Sequence, residues 1–230
     1  MATVILARHG RTVANATGVL AGRSPGIRLD EVGIRQAEEA SKRLAGLPLA
    51  TAVTSPLERC KETASILLRG TGKRARVERG LTECDYGDWT GRPMRELVKE
   101  DLWKVVQAHP AGVRFPGGEA MAEMSARAIR SVRAWDSRVR DASGDDAVWL
   151  AVAHGDVIKS VLADALGVHL DAFQRIVVDP ASLSVVRYTP HRSYVLAMNT
   201  TEGSLAHLAQ QQEPPDQKVG GGAGPTVPTP

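Results

Sequence analysis

Short unbroken apolar runs alternate along this chain with stretches in which apolar residues recur every three or four positions. The runs are Thr3–Ala7, Ala50–Thr54 and Ala147–Ala153. A strand with one wet face alternates apolar and polar residues, so continuous runs of this length predict strands buried on both faces. Asp30 is placed to cap a helix that carries Ile34, Ala37, Ala40 and Leu44 on one face and closes at Gly46. Ser55-Pro56-Leu57-Glu58 reads as a capping box with proline at the first helical position, opening a helix that runs to Leu68. Further helical periodicity covers Met94 to Ala108, Glu119 to Arg140, and Asp156 to Leu166 before Gly167. Leu183–Tyr188 and Tyr194–Asn199 flank Thr189-Pro190 and predict a closing antiparallel pair. The expected class is α/β: a three-layer αβα sandwich, with helices on both faces of a mostly parallel central sheet.

The pattern stops near Gln210. Gln210-Gln211-Gln212-Glu213-Pro214-Pro215 and the glycines and prolines after it cannot bury an apolar face, which predicts a disordered tail over 210–230 behind one domain over 1–209. With 230 residues and 43% hydrophobic content, the chain can fold around a core without covalent staples. Its two cysteines exclude a disulfide scaffold and lack the spacing of a zinc site. No apolar run approaches the roughly 20 residues of a spanning helix. Thr3–Ala7 is too short for a signal segment and stops at Arg8, so a soluble cytoplasmic protein without membrane contact is expected.

The basic residues are 22 arginines and 7 lysines, and the net charge is only +3. They are scattered among nearly as many acids, and aromatics are few, which argues against nucleic acid as a partner. No dinucleotide or P-loop fingerprint is present, so no cofactor is expected.

Chemistry-bearing residues follow the three runs. Arg8-His9-Gly10 follows the first. Ser55 follows the second, with Arg59 on the first turn of the next helix, and His154-Gly155-Asp156 follows the third. Ligands of open α/β sheets bind beyond the carboxyl ends of the strands. If these strands are parallel neighbours, two arginines, two histidines and two helix N-termini converge on one anion site. A histidine at a strand end is by itself an ordinary structural residue. An arginine on a first turn opposes the helix dipole, unless an anion sits between them.

Leu6-Ala7-Arg8-His9-Gly10-Arg11-Thr12, with Asn15 and Gly18, resembles the signature of the histidine phosphatase superfamily, whose fold is phosphoglycerate mutase-like. Thr54–Ala64 resembles its second motif, Leu81–Gly91 its acidic loop, Phe115-Pro116-Gly117-Gly118-Glu119 its Pro-Gly-Gly-Glu element, and Val152-Ala153-His154-Gly155 its second histidine. Within the superfamily the chain is most similar to actinobacterial phosphatases and phosphomutases. The resemblance implies that His9 is the nucleophile that takes up the phosphoryl group. It implies that Arg8, Arg59 and His154 hold the phosphoryl oxygens, and that Asn15 and the Gly155 amide complete the pocket. Glu83 then protonates the leaving oxygen and activates water, while Trp89 packs.

A nucleophilic imidazole must be neutral, and neighbouring arginines depress its pKa. Glu83 must instead keep a proton near neutrality, which burial favours and the arginines oppose. Fixed guanidinium groups stabilise the moving phosphoryl group, so no metal is required.

Of the remaining residues, His109, His169, His191 and His207 match no motif. Cys60 and Cys84 sit beside Arg59 and Glu83, where a redox switch is conceivable. Gly117-Gly118 fits either a phosphate-cradling turn or a plain loop, and Trp103 and Phe115 either wall the pocket or pack the core. Phosphomutases of the family resemble longer chains with an insertion after the acidic loop. Here residues 90–115, read as essentially one helix, are all that separates Trp89 from Pro116.

The expected activity is therefore a phosphomonoesterase that acts on a small phosphorylated metabolite and releases inorganic phosphate. A cofactor-dependent phosphomutase and an idle phospho-ligand binding module are the alternatives. The oligomeric state stays open, a homodimer included.

Overall fold

The unbroken runs form the middle of one sheet, and its two faces account for their lack of alternation. In a computed structural model, which describes residues 2–209, the strands are β1 (Thr3–Arg8), β2 (Leu49–Thr54), β3 (Arg76–Val77), β4 (Val148–Ala153), β5 (Leu183–Tyr188) and β6 (Ser193–Thr200). They are ordered β3-β2-β4-β1-β5-β6. The first four are parallel; β5 pairs antiparallel with β1, and β6 antiparallel with β5.

Successive residues of β1 and β4 enter different cores. Val4, Leu6, Trp149 and Ala151 join one cluster with Met124, Ala128 and Val161. Ile5, Ala7, Leu150 and Val152 join another with Ala40, Ala64 and Leu67. Two apolar faces demand an apolar residue at every position.

The helices are α1 (Val13–Ala16), α2 (Glu31–Arg43), α3 (Glu58–Leu67), α4 (Met94–Leu97), α5 (Asp101–Ala108), α6 (Met121–Ser143) and α7 (Gly155–Leu166). Helices α2 and α3 cover one face, and α6 and α7 cover the other. The α/β sandwich expected from the sequence is the observed fold.

Local expectations fared unevenly. Asp30 caps α2 through its side chain, and α7 stops at Gly167 in the left-handed region, both as expected. The Thr189-Pro190 turn joins β5 to β6. Ser55 caps no helix: α3 starts at Glu58 behind Leu57, and the Ser55 hydroxyl bonds His154 and accepts from the Leu57 amide. The helix read over Met94–Ala108 is two, with Glu100 in extended backbone opening the second. Helix α6 starts at Met121, behind an extended Ala120 whose amide donates to the Glu123 carboxylate. The expected tail over 210–230 lies outside the described residues.

Among the described residues, no helix is long and apolar enough to cross a membrane.

Candidate active site

Three parallel strands end side by side, and the ladder continues one residue past them. The His9 amide donates to the Ala153 carbonyl at 3.0 Å, and the Ser55 amide donates to the Val152 carbonyl at 2.9 Å. This pairing sets His9, Ser55 and His154 next to one another. Glycine lets the first loop fit: a Cβ on Gly10 would lie 2.4 Å from the Gly33 carbonyl oxygen, so the chain after β1 presses directly on the start of α2.

The polar groups then bond in series. His9 Nδ1 faces the Gly10 carbonyl at 2.8 Å and therefore carries the ring proton, leaving a lone pair on Nε2. That lone pair accepts from Arg59 Nε at 3.2 Å. Arg59 Nη2 donates to the Gly22 carbonyl at 2.9 Å and meets His154 Nδ1 at 3.1 Å. With Nδ1 accepting, His154 Nε2 carries the proton and donates to Ser55 Oγ at 2.8 Å. The two imidazoles lie 5.3 Å apart, steeply inclined to each other. Arg8 donates through Nη1 to the Val178 carbonyl at 2.6 Å.

Two donors are left over. Arg8 Nε and Arg59 Nη1 are buried and have no partner. An unsatisfied buried donor costs about 1–3 kcal/mol, more when charged, so two of them on adjacent guanidinium groups mark a site built for an anion.

Burial and charge set the protonation states. His9 is held well below its ordinary pKa, first by burial and then by Arg59 and Arg8. Burial, Arg59 and His9 hold His154 down in the same way. Glu83 is pushed up to about 7, chiefly by burial and then by the charge of Asp156; Arg59, the Cys84 amide and Arg8 pull against both. Its Oε1 accepts from the Cys84 amide at 3.0 Å, and its Oε2 stands 3.7 Å from His154 Nδ1.

The strand ends open on a cavity of about 330 Å³ lined by Arg8, His9, Asn15, Arg59, Glu83 and Gly155, among others. Six of the seven site residues expected from the sequence thus meet there. His154 does not line the cavity; it is fully buried, with both ring nitrogens engaged. Asn15 accepts from the Thr12 amide and hydroxyl and lies at the exposed mouth.

Gly117 and Gly118 do not line the cavity: they dock the acidic loop, where a Cβ on Gly118 would lie 2.2 Å from the Asp85 carbonyl oxygen. Trp89 packs as expected, 6.3 Å from Trp103 and 5.4 Å from Phe115, and all three rings also wall the cavity. Both cysteines are free and buried, and burial pushes the Cys60 thiol up to about 12 and the Cys84 thiol up as well. Neither is the exposed, acidic thiol that a redox switch needs. Exposed His109 pairs with Asp171, His169 accepts from the Asp171 amide, His191 is exposed, and the His207 side chain lies outside the described residues.

Several residues that serve the site escaped the sequence reading. Arg127 donates to the carbonyls of Gly80, Thr82 and Glu83, and Arg23 donates to the Glu83 carbonyl. Both bond the Glu119 carboxylate, so an ion network fixes the loop that carries Glu83. The Tyr86 hydroxyl donates to Asp156 Oδ2 at 2.8 Å, holding the carboxylate whose charge raises Glu83. An unpaired acid in the Pro-Gly-Gly-Glu element was the available signal for the arginines.

The sequence pattern of the histidine phosphatase superfamily (branch 1) matches residues 4–201. The chain belongs to that superfamily. It is 33% identical over 190 residues to the probable phosphoglycerate mutase GpmB of Yersinia enterocolitica, covering 82% of this chain and 86% of the relative. Among solved structures, YhfR of Bacillus stearothermophilus superposes with a TM-score of 0.78 at 26% identity, over 90% of this chain and 100% of that one. The α-ribazole phosphatase of Shigella flexneri gives 0.73 at 25%, over 86% and 96%. This histidine phosphatase therefore shares its relatives' fold over nearly the whole described chain, and it is an enzyme of the phosphatase type.

Proposed function

We propose that this histidine phosphatase is a metal-independent phosphomonoesterase that works through a phosphohistidine at His9. The lone pair on His9 Nε2 attacks phosphorus, forming the N–P bond as the P–O bond to the leaving group breaks. Glu83 gives its proton to the departing oxygen. Water then attacks the phosphohistidine, Glu83 takes a proton from it, the N–P bond breaks and inorganic phosphate leaves. Arg8 and Arg59 hold the phosphoryl oxygens through the donors that have no protein partner, and Asn15 and the Gly155 amide border the same pocket. His154 acts through Arg59, whose guanidinium it orients.

One observation carries this reading: His9, with an unprotonated ring nitrogen, and Arg8 and Arg59, each with a buried unsatisfied donor, line one cavity together with a carboxyl group that holds a proton to about neutral pH. No lysine, metal or cofactor is needed for any step. A cytoplasmic setting belongs to the same proposal.

Names among the relatives point two ways, since the Yersinia protein is called a mutase and the Shigella protein a phosphatase. The assay that separates them follows phosphate release from an aryl phosphate and from phosphoglycerates, with EDTA present and His9→Ala as blank. Hydrolysis predicts metal-insensitive release that the blank lacks. A phosphomutase predicts strong stimulation by a bisphosphoglycerate and little net phosphate. Tight binding of phosphate esters without an acid-labile phosphoenzyme would leave only a binding module.

A further inference from the structure

The chain has nine aromatic residues, and four of them, Tyr86, Trp89, Trp103 and Phe115, line the one cavity at the strand ends. Their rings contact one another, Tyr86 meeting Phe115 at 5.0 Å edge-on and Trp89 lying nearly parallel to Trp103. Leu20, Met94, Val106 and Met121 fill in the same wall. A wall of mutually packed rings is preorganised to receive a flat apolar group by stacking and edge contact.

The cations tell the same story by subtraction. Among the described lining residues they are Arg8, Arg59 and Lys159. The two arginines belong to the phosphoryl site. Lys159 is already spent: its Nζ donates to Gln174 Oε1 at 3.0 Å, lies 3.6 Å from Asp156 Oδ1 and sits over the Phe173 ring. A carboxylate or second phosphate on the substrate would find no free cation among these lining residues. Burying an unpaired anion is far costlier than burying a ring.

From the ring wall and the spent lysine we infer that the favoured substrates are phosphomonoesters whose leaving group is uncharged and carries a flat apolar ring, rather than phosphoglycerates or bisphosphates. The inference rests on the phosphomonoesterase reading and narrows it.

The test compares kcat/KM of the full chain for 2-(1-naphthyl)ethyl phosphate and for 3-phosphoglycerate, whose leaving groups are both alcohols. The same two bodies are also offered as phosphonates, which cannot be hydrolysed, and their binding is read from tryptophan fluorescence. The naphthyl ester should be preferred by about 100-fold, the scale on which pocket contacts discriminate. Gln107→Arg, at an exposed rim position, supplies the missing cation and should narrow that preference about tenfold; Trp103→Leu should narrow it by removing a ring.

Equal or better turnover of 3-phosphoglycerate overturns the inference and leaves the phosphatase standing. No turnover of either ester, with the naphthyl phosphonate still bound more tightly, overturns the phosphatase and leaves the pocket assignment standing. No turnover and no binding preference overturns both.

Discussion

His9 and Glu83 face opposite requirements inside one pocket, since the first must lose its proton and the second must keep one. Burial disfavours the charged form of each, so it lowers the imidazole and raises the carboxyl. The arginines then split the pair further on the histidine side and oppose burial on the glutamate side. Asp156 supplies the remaining push on Glu83, and Tyr86 holds it in place. If Glu83 must be protonated to release the leaving group, kcat/KM should fall as pH rises past about 7. His9 should add no break near 6.5 on the acid side, because it remains neutral there. Asp156→Asn removes one raising influence and should move the alkaline break to lower pH. Because the substrate's own titration is common to both enzymes, the displacement between the two profiles is the quantity to measure. Coincident profiles would take that role from Asp156. Glu83→Gln cannot give up a proton and should lose about 10²–10⁴ in rate while keeping phosphate-ester binding.

The elements matter because the reacting groups ride on backbone that has little room to move. Beyond β1 the chain passes so close to α2 that a Cβ on Gly33 would lie 2.0 Å from the Arg11 carbonyl oxygen. Gly33→Ala must therefore displace either the helix or the segment that leads from His9. Overpacking of this kind costs about 1–3 kcal/mol, so a lower urea midpoint together with reduced kcat/KM is expected. A variant as stable and active as the wild type would show that this contact does not position the nucleophile. Elements whose apolar pattern is long, such as β1, β4, α2 and α7, were legible in the sequence because burial alone dictates them. Strand β3 has two exposed residues and α1 only four, too short for any period to register. Ser55 misled for a physical reason: its hydroxyl accepts from the Leu57 amide ahead of the helix and bonds the neighbouring strand's His154, and α3 begins only at Glu58. The nucleophile, the arginines and Glu83 stood out through strand ends and motifs. Arg23, Arg127 and Asp156 did not, because their roles depend on segments far apart in the chain meeting in space.

For the molecule as a whole, the site couples folding to pH. Below the ordinary histidine pKa of 6.5, the unfolded chain takes up protons on His9 and His154 that the folded chain refuses. Each contributes stability that is complete above 6.5 and is lost as pH falls. Glu83 acts in the other direction: between its ordinary 4.5 and about 7 the folded chain keeps a proton that the unfolded chain releases, so its contribution is largest at low pH. Over the window from 6.5 to 5 the two histidines of the unfolded state go from half to nearly full protonation, against one proton that the native state retains on Glu83. Stability should therefore drop on acidification. The carboxylates held low by partners, including Asp30, Glu78 and Glu119, lose their contribution only below about 4.5, outside this window. Replacing both imidazoles, as His9→Asn with His154→Asn, leaves Glu83 as the titrating site group, so the variant should lose less stability than the wild type on going from pH 6.5 to 5. Urea denaturation of both proteins at the two pH values measures the two slopes directly. Any titration elsewhere in the fold is shared by wild type and variant and cancels in the difference. Equal slopes would mean that the two histidines take up protons as readily folded as unfolded, and that burial and Arg59 do not hold them down.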